Sequence, residues 1–80
     1  MTSEREELIL KTIIKNSLYA ELPKLNLTKI KIKSQKTLYH INKPARKVTF
    51  TYPDRHRYTR TAEIEILESD IRDVSLSLRK

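Results

Sequence analysis

Residues 47–66 read KVTFTYPDRHRYTRTAEIEI, two runs of period-two alternation around a turn signal. Val48, Phe50 and Tyr52 alternate with Lys47, Thr49 and Thr51. Beyond the turn, Tyr58, Ala62, Ile64 and Ile66 share one parity, while Arg57, Thr59, Thr61, Glu63 and Glu65 hold the other. Such alternation marks strands with one buried and one wet face. Pro53-Asp54 between them fits the start of a type I turn, so the stretch predicts an antiparallel hairpin.

Upstream, the same period continues in shorter pieces. Ile30 and Ile32 alternate with Lys29, Lys31 and Lys33, a half-buried strand whose wet face is all lysine. Leu25 and Leu27 have the opposite parity, so this strand starts after them or carries a bulge. Thr37-Leu38-Tyr39-His40-Ile41 reads as a second short strand, and Asn42-Lys43-Pro44-Ala45 as a turn.

Before these comes the grammar of a helix. Ser3 can cap with Glu6 three residues on, Glu4, Glu6 and Glu7 face the positive end of the dipole, and Glu7 pairs with Lys11. Leu10, Ile13, Ile14, Ser17, Leu18 and Leu22 follow helical spacing, with Leu8 and Ile9 outside that stripe, and Pro23 stops the helix. The spacing predicts a helix over about residues 4–20. At the other end, Ser69 to Asp73 reads as one helical turn. Val74, Leu76 and Leu78 then alternate with Ser75, Ser77 and Arg79 as a last strand.

Together these elements predict one α+β domain, an N-terminal helix followed by a meander of about five antiparallel strands. The order helix, four strands, short turn, strand resembles that of SH3-like and Sm-like small barrels, and on element order alone it implies a small barrel. Those families place glycines where strands bend sharply, and this chain has none.

Composition bounds the chemistry. The 80 residues allow one domain with a small core, since 38% are hydrophobic and 34% charged. Chains of this size often draw stability from self-association or a partner, so a homo-oligomer is one expectation. The lack of Cys excludes disulfides, thiolate nucleophiles and Cys-containing zinc modules. The lack of Gly removes the P-loop, the dinucleotide fingerprint, the EF-hand loop and the glycine-dependent KH and RRM motifs. No apolar run approaches the roughly 18 residues of a membrane span, and Met1 leads into an acidic stretch instead of a signal sequence. No membrane partner and a cytoplasmic location are therefore expected.

Charge is the strongest signal. The net charge is +7, and it is uneven: residues 22–60 hold eleven Lys and Arg against one acid, Asp54. Such asymmetry points to a footprint for an anionic partner. Lys29, Lys31 and Lys33, with Lys47 on a later strand, can neutralise successive phosphates. The competing reading is that lysines on an exposed strand discourage edge-to-edge aggregation. In the loop, Tyr52 and Tyr58 bracket Arg55, His56 and Arg57, with Arg60 just beyond. Aromatic rings stack on bases and arginines hold phosphates, but Tyr52 and Tyr58 can equally be cross-strand partners that close the hairpin.

His40 and His56, the only histidines, lack metal-ligand spacing, and Glu63 and Glu65 read as cross-strand partners of lysines. No metal, cofactor or catalytic set is expected, and hence no enzyme. The expected function is that of a small regulatory protein, a non-enzymatic binder of DNA or RNA that holds phosphates on a basic sheet face and hairpin loop. The alternative is a protein–protein interaction module, an inhibitor or adaptor that docks an acidic partner surface. The small, Cys-free, Lys- and Ile-rich composition suits a phage or mobile-element protein.

Overall fold

The computed structural model describes residues 4–40 and 42–78. Helix α1 (Glu4–Leu18) leads through a 3₁₀ turn (Leu27–Lys29) into strands β1 (Lys31–His40), β2 (Lys43–Pro53) and β3 (Thr59–Leu67), and helix α2 (Glu68–Ser77) follows. The class is α+β, with both sheet ladders antiparallel and β2 in the middle.

The central hairpin forms as its alternation requires. Val48 faces Ile64 and Phe50 faces Ala62 across the β2–β3 ladder. On that face Val48, Phe50 and Ile66 join Ile9, Leu10, Ile14, Leu25, Ile30 and Ile71 in one core. Leu10, Ile14, Ile30 and Val48 are fully enclosed. Both helices therefore lie on one side of the sheet. In α1 the acidic first turn and the Glu7–Lys11 pair, 3.5 Å apart, form as the sequence implies. The Ser3 cap, Ile41 and the outward position of Arg79 lie outside the described residues.

Four expectations are corrected. The strand count is three, because the two short strands expected over residues 30–33 and 37–41 are one strand, β1, and the expected last strand is helix. No Pro or Gly interrupts Ser34-Gln35-Lys36. The strand carries a bulge between Ile32 and Ser34 that leaves Lys33 without a partner on β2. Lys43, Pro44 and Ala45 belong to β2 and not to a turn. His40 pairs with Lys43, so the connection is only two residues, with Asn42 at φ +59°. Pro44 costs no β2–β3 hydrogen bond, because that ladder begins at Ala45.

The expected last strand is helix. Its Val74-Leu76-Leu78 alternation is also compatible with helical spacing once Ile71 is counted, and Ile71 and Val74 are the residues of α2 that pack on the core. Glu68 and Asp70 supply the acidic first turn that the single turn expected over Ser69–Asp73 had begun. With α2 in place Ile9 is buried, although it falls outside the main stripe of α1. A barrel does not form either. β1 and β3 are the two edges of an open three-stranded sheet, too few strands to close on themselves.

One inward-facing residue of β2 is not apolar. Arg46 lies between Thr37 of β1 and Ile66 of β3 on the face that carries Val48 and Phe50. Its Nε and Nη2 donate to the two carboxylate oxygens of Glu68 at 3.0 and 3.1 Å. Its Nη1 donates to Gln35 Oε1 at 3.0 Å and to Glu6 Oε1. Burial works against the guanidinium charge, but hydrogen bonds and charges from Glu6 and Glu68 more than offset it, and its pKa is raised. Replacing Arg46 with Met strands two carboxylates against the core. We expect a loss of about 2–4 kcal/mol in urea unfolding, and a loss below about 0.5 kcal/mol would show that the network is incidental.

Candidate nucleic-acid interface

The β2–β3 hairpin tip is built around a carboxylate. Arg57 N donates to Asp54 O at 3.0 Å and Asp54 N to Tyr58 O at 2.9 Å, a turn closed by one residue in the left-handed region, Arg57 at φ +67°. Asp54 Oδ1 accepts the amides of His56 and Tyr58 at 2.8 and 3.0 Å, and Oδ2 accepts Arg60 Nε at 2.8 Å. The Arg60 hydrogen bond, opposed by partial loss of water and helped by the two amides, holds the Asp54 carboxyl below the usual carboxylate range. Glycine is the usual occupant of such a left-handed position, and this chain puts an arginine there.

The tip folds back on the segment after α1. Arg55 Nε and Nη2 donate to Glu21 O at 3.3 and 3.2 Å. Between the two segments runs an open cleft of about 790 Å³, lined among others by Lys24, Lys29, Arg55 and Arg57, with Glu21 and Asp54 the acids on its wall. Lys24, Lys29 and Arg57 have no ion-pair partner among the described residues. A neighbouring depression is lined by Tyr52, His56 and Arg60. Tyr58 stands at the tip with 69% of its surface exposed.

Comparison with protein-family models, curated proteins and solved structures finds no match.

The geometry regroups the residues singled out in the sequence. Lys29, Arg55 and Arg57 come together in the cleft, with Tyr52, Tyr58 and Arg60 close by in the chain or the adjoining depression. Lys31 and Lys33 do not join Lys29 in a comb. Lys29 ends the 3₁₀ turn, Lys31 faces Thr51 on the helix-free face, and Lys33 is the unpaired bulge residue. Lys47 is occupied by Glu63 at 3.0 Å, as expected for a cross-strand pair. Tyr52 and Tyr58 are not partners: Tyr52 faces Arg60 and packs on Phe50, with ring centroids 5.7 Å apart.

Lys24, which completes the cleft, lay in an irregular stretch with no periodic signal. The position after Pro23 was its only mark. Arg46 belongs to the interior, not to the footprint. Among the described residues no group of three or more His, Asp or Glu is placed to hold a metal ion, and no helix is long and apolar enough to cross a membrane.

Two outcomes test this tip. Because its pKa is lowered, Asp54 stabilises the loop above the ordinary carboxylate pKa, and this stabilisation is lost as pH falls through the lowered value. The amide resonance of Tyr58 should follow the Asp54 carboxyl, moving only below the ordinary carboxylate range, and Asp54→Asn should remove that titration. Arg57→Gly relieves roughly 1–2 kcal/mol of left-handed strain and loosens the unfolded chain by roughly 0.4–1 kcal/mol. Thermal unfolding should show a small net gain, and a net loss would mean that the Arg57 side chain holds the tip.

Proposed function

We propose that this protein is a small, non-enzymatic nucleic-acid-binding protein, with a regulatory role as the consequence of binding, and that it holds the phosphate backbone in the cleft between the hairpin tip and the segment after α1. The observation that carries this reading is the meeting of Lys24, Lys29 and Arg57, all without ion-pair partners, in one concavity. Cations fixed at a rigid surface release counterions from a polyanion when they replace them. Asp54 and Arg55 supply the rigidity, tying the tip to itself and to Glu21.

Tyr58 adds an exposed ring beside the cations, and a ring is useful where bases are unpaired. The site therefore suits a single strand, DNA or RNA, better than a duplex. Base-specific readout is weak in this arrangement, because α1 opens with three acids and α2 with two, so neither offers a basic recognition helix. A second reading, a module that docks an acidic protein surface, is favoured by one feature, the ten-residue edge strand β1, which can accept an added strand. A cytoplasmic site of action fits either reading.

Fluorescence anisotropy against labelled single-stranded DNA, duplex DNA and RNA, from roughly 50 to 200 mM salt, separates the two. Sub-micromolar binding that weakens steeply with salt is expected. Charge reversal of Lys29 and Arg57 should lower the logarithmic salt slope by roughly 0.7–0.9 per cation lost. No binding at the lowest salt, with the fold intact by circular dichroism, overturns the proposal and leaves the acidic protein partner.

A further inference from the structure

The face of the sheet opposite the helices carries an ordered pattern of its own. Directly paired residues share a face, so the ladders define four rungs there: Lys31·Thr51·Thr61, Ser34·Thr49·Glu63, Lys36·Lys47·Glu65 and Leu38·Ala45·Leu67. Leu38, Ala45 and Leu67 lie outside the core that both helices cover. Ala45 is fully buried between the two leucines, and the apolar surface there comes from the half-buried Leu38 and from Leu67, 37% exposed. Below that rung, one edge column is basic (Lys31, Lys36) and the other acidic (Glu63, Glu65).

A face with cations down one edge and anions down the other is complementary to itself in one orientation. If two copies meet face to face about a twofold axis that runs across the strands, β1 lies on β1, lysines on lysines. If the axis runs along the strands, β1 of each copy lies on β3 of the other. Lys36 then meets Glu65 of the second copy, and Leu38 meets its Leu67. The two Lys47 side chains approach at the axis, each drawn aside by its own Glu63.

We propose that a second copy of this chain covers the helix-free face, in a twofold dimer whose axis runs along the strands. Three strands about 4.8 Å apart and four rungs about 7 Å apart give a projected face of roughly 400 Å². That is small beside the roughly 800 Å² per partner of a standard interface, so the dimer is a weak one.

Sedimentation velocity of the full chain between roughly 10 and 1,000 µM tests this. The wild type should shift from monomer to dimer across the range. Lys36→Glu and Glu65→Lys should each raise the dissociation constant at least about tenfold, since each sets like charges together twice. An equimolar mixture of the two variants should dimerise again, because each chain supplies the charge the other lacks. That recovery also shows that both variants are folded. Thr49→Lys, in the middle of the face, should be monomeric. A wild type that stays monomeric, a dimer indifferent to the single reversals, or a mixture that fails to associate would each overturn the proposal.

Discussion

The fold depends on one guanidinium in an apolar layer. Arg46 sits in the central strand, where its neighbours Val48 and Phe50 make the core, and it draws α1 through Glu6, α2 through Glu68 and β1 through Gln35 onto the same face. An ion pair of this kind adds little net stability, because removing the charges from water offsets most of their attraction. Its effect is on which arrangement is allowed. Any packing that leaves Arg46 inside without both carboxylates is costly, and both carboxylates come from helix first turns. The network therefore fixes where the two helices start relative to the sheet.

The same arrangement sorts the charge. With Glu6 and Glu68 drawn to Arg46, and Glu63 to Lys47, acids cluster at the helix starts and along β3. α1 then delivers its C-terminal end to the hairpin tip, where Arg55 meets Glu21. Three of the cations that no acid holds among the described residues, Lys24, Lys29 and Arg57, gather at that end, while Lys31, Lys33 and Lys36 lie along β1. The basic excess of the middle of the sequence is thus divided between the cleft and β1.

Where one pattern admitted one structure, the sequence could be read directly. The 47–66 hairpin and α1 formed with the expected faces, because each had a long run of a single period, except that Tyr58 stands exposed before β3 instead of joining Ala62, Ile64 and Ile66. β1 is not legible as one strand, because Lys33-Ser34-Gln35-Lys36-Thr37 holds no apolar residue to carry the alternation past the bulge. α2 was read as a strand because five residues of alternation fit both periods, and tertiary packing of Ile71 and Val74 decided between them. Arg46 looked like one more exposed cation, since its inward parity became meaningful only when Lys43–Ala45 proved to be strand. In the candidate site, the loop arginines were legible from the turn chemistry. Lys24 and the distance that separates Lys33 from Lys29 were not, because both follow from contacts remote in sequence.

The two left-handed residues, Asn42 and Arg57, lead to a last point about the unfolded chain. Average composition would place about 7% glycine in a chain of this kind, and here there is none even where the backbone invites it. Each glycine avoided at an ordinary negative φ narrows the disordered ensemble and lowers the entropy lost on ordering by about 0.4–1 kcal/mol, while at Asn42 and Arg57 the left-handed strain offsets that gain. For a domain with so few enclosed side chains, that saving is comparable to burying one or two more of them. The protein can therefore keep a third of its residues charged and still fold, because part of its stability resides in a less disordered starting state.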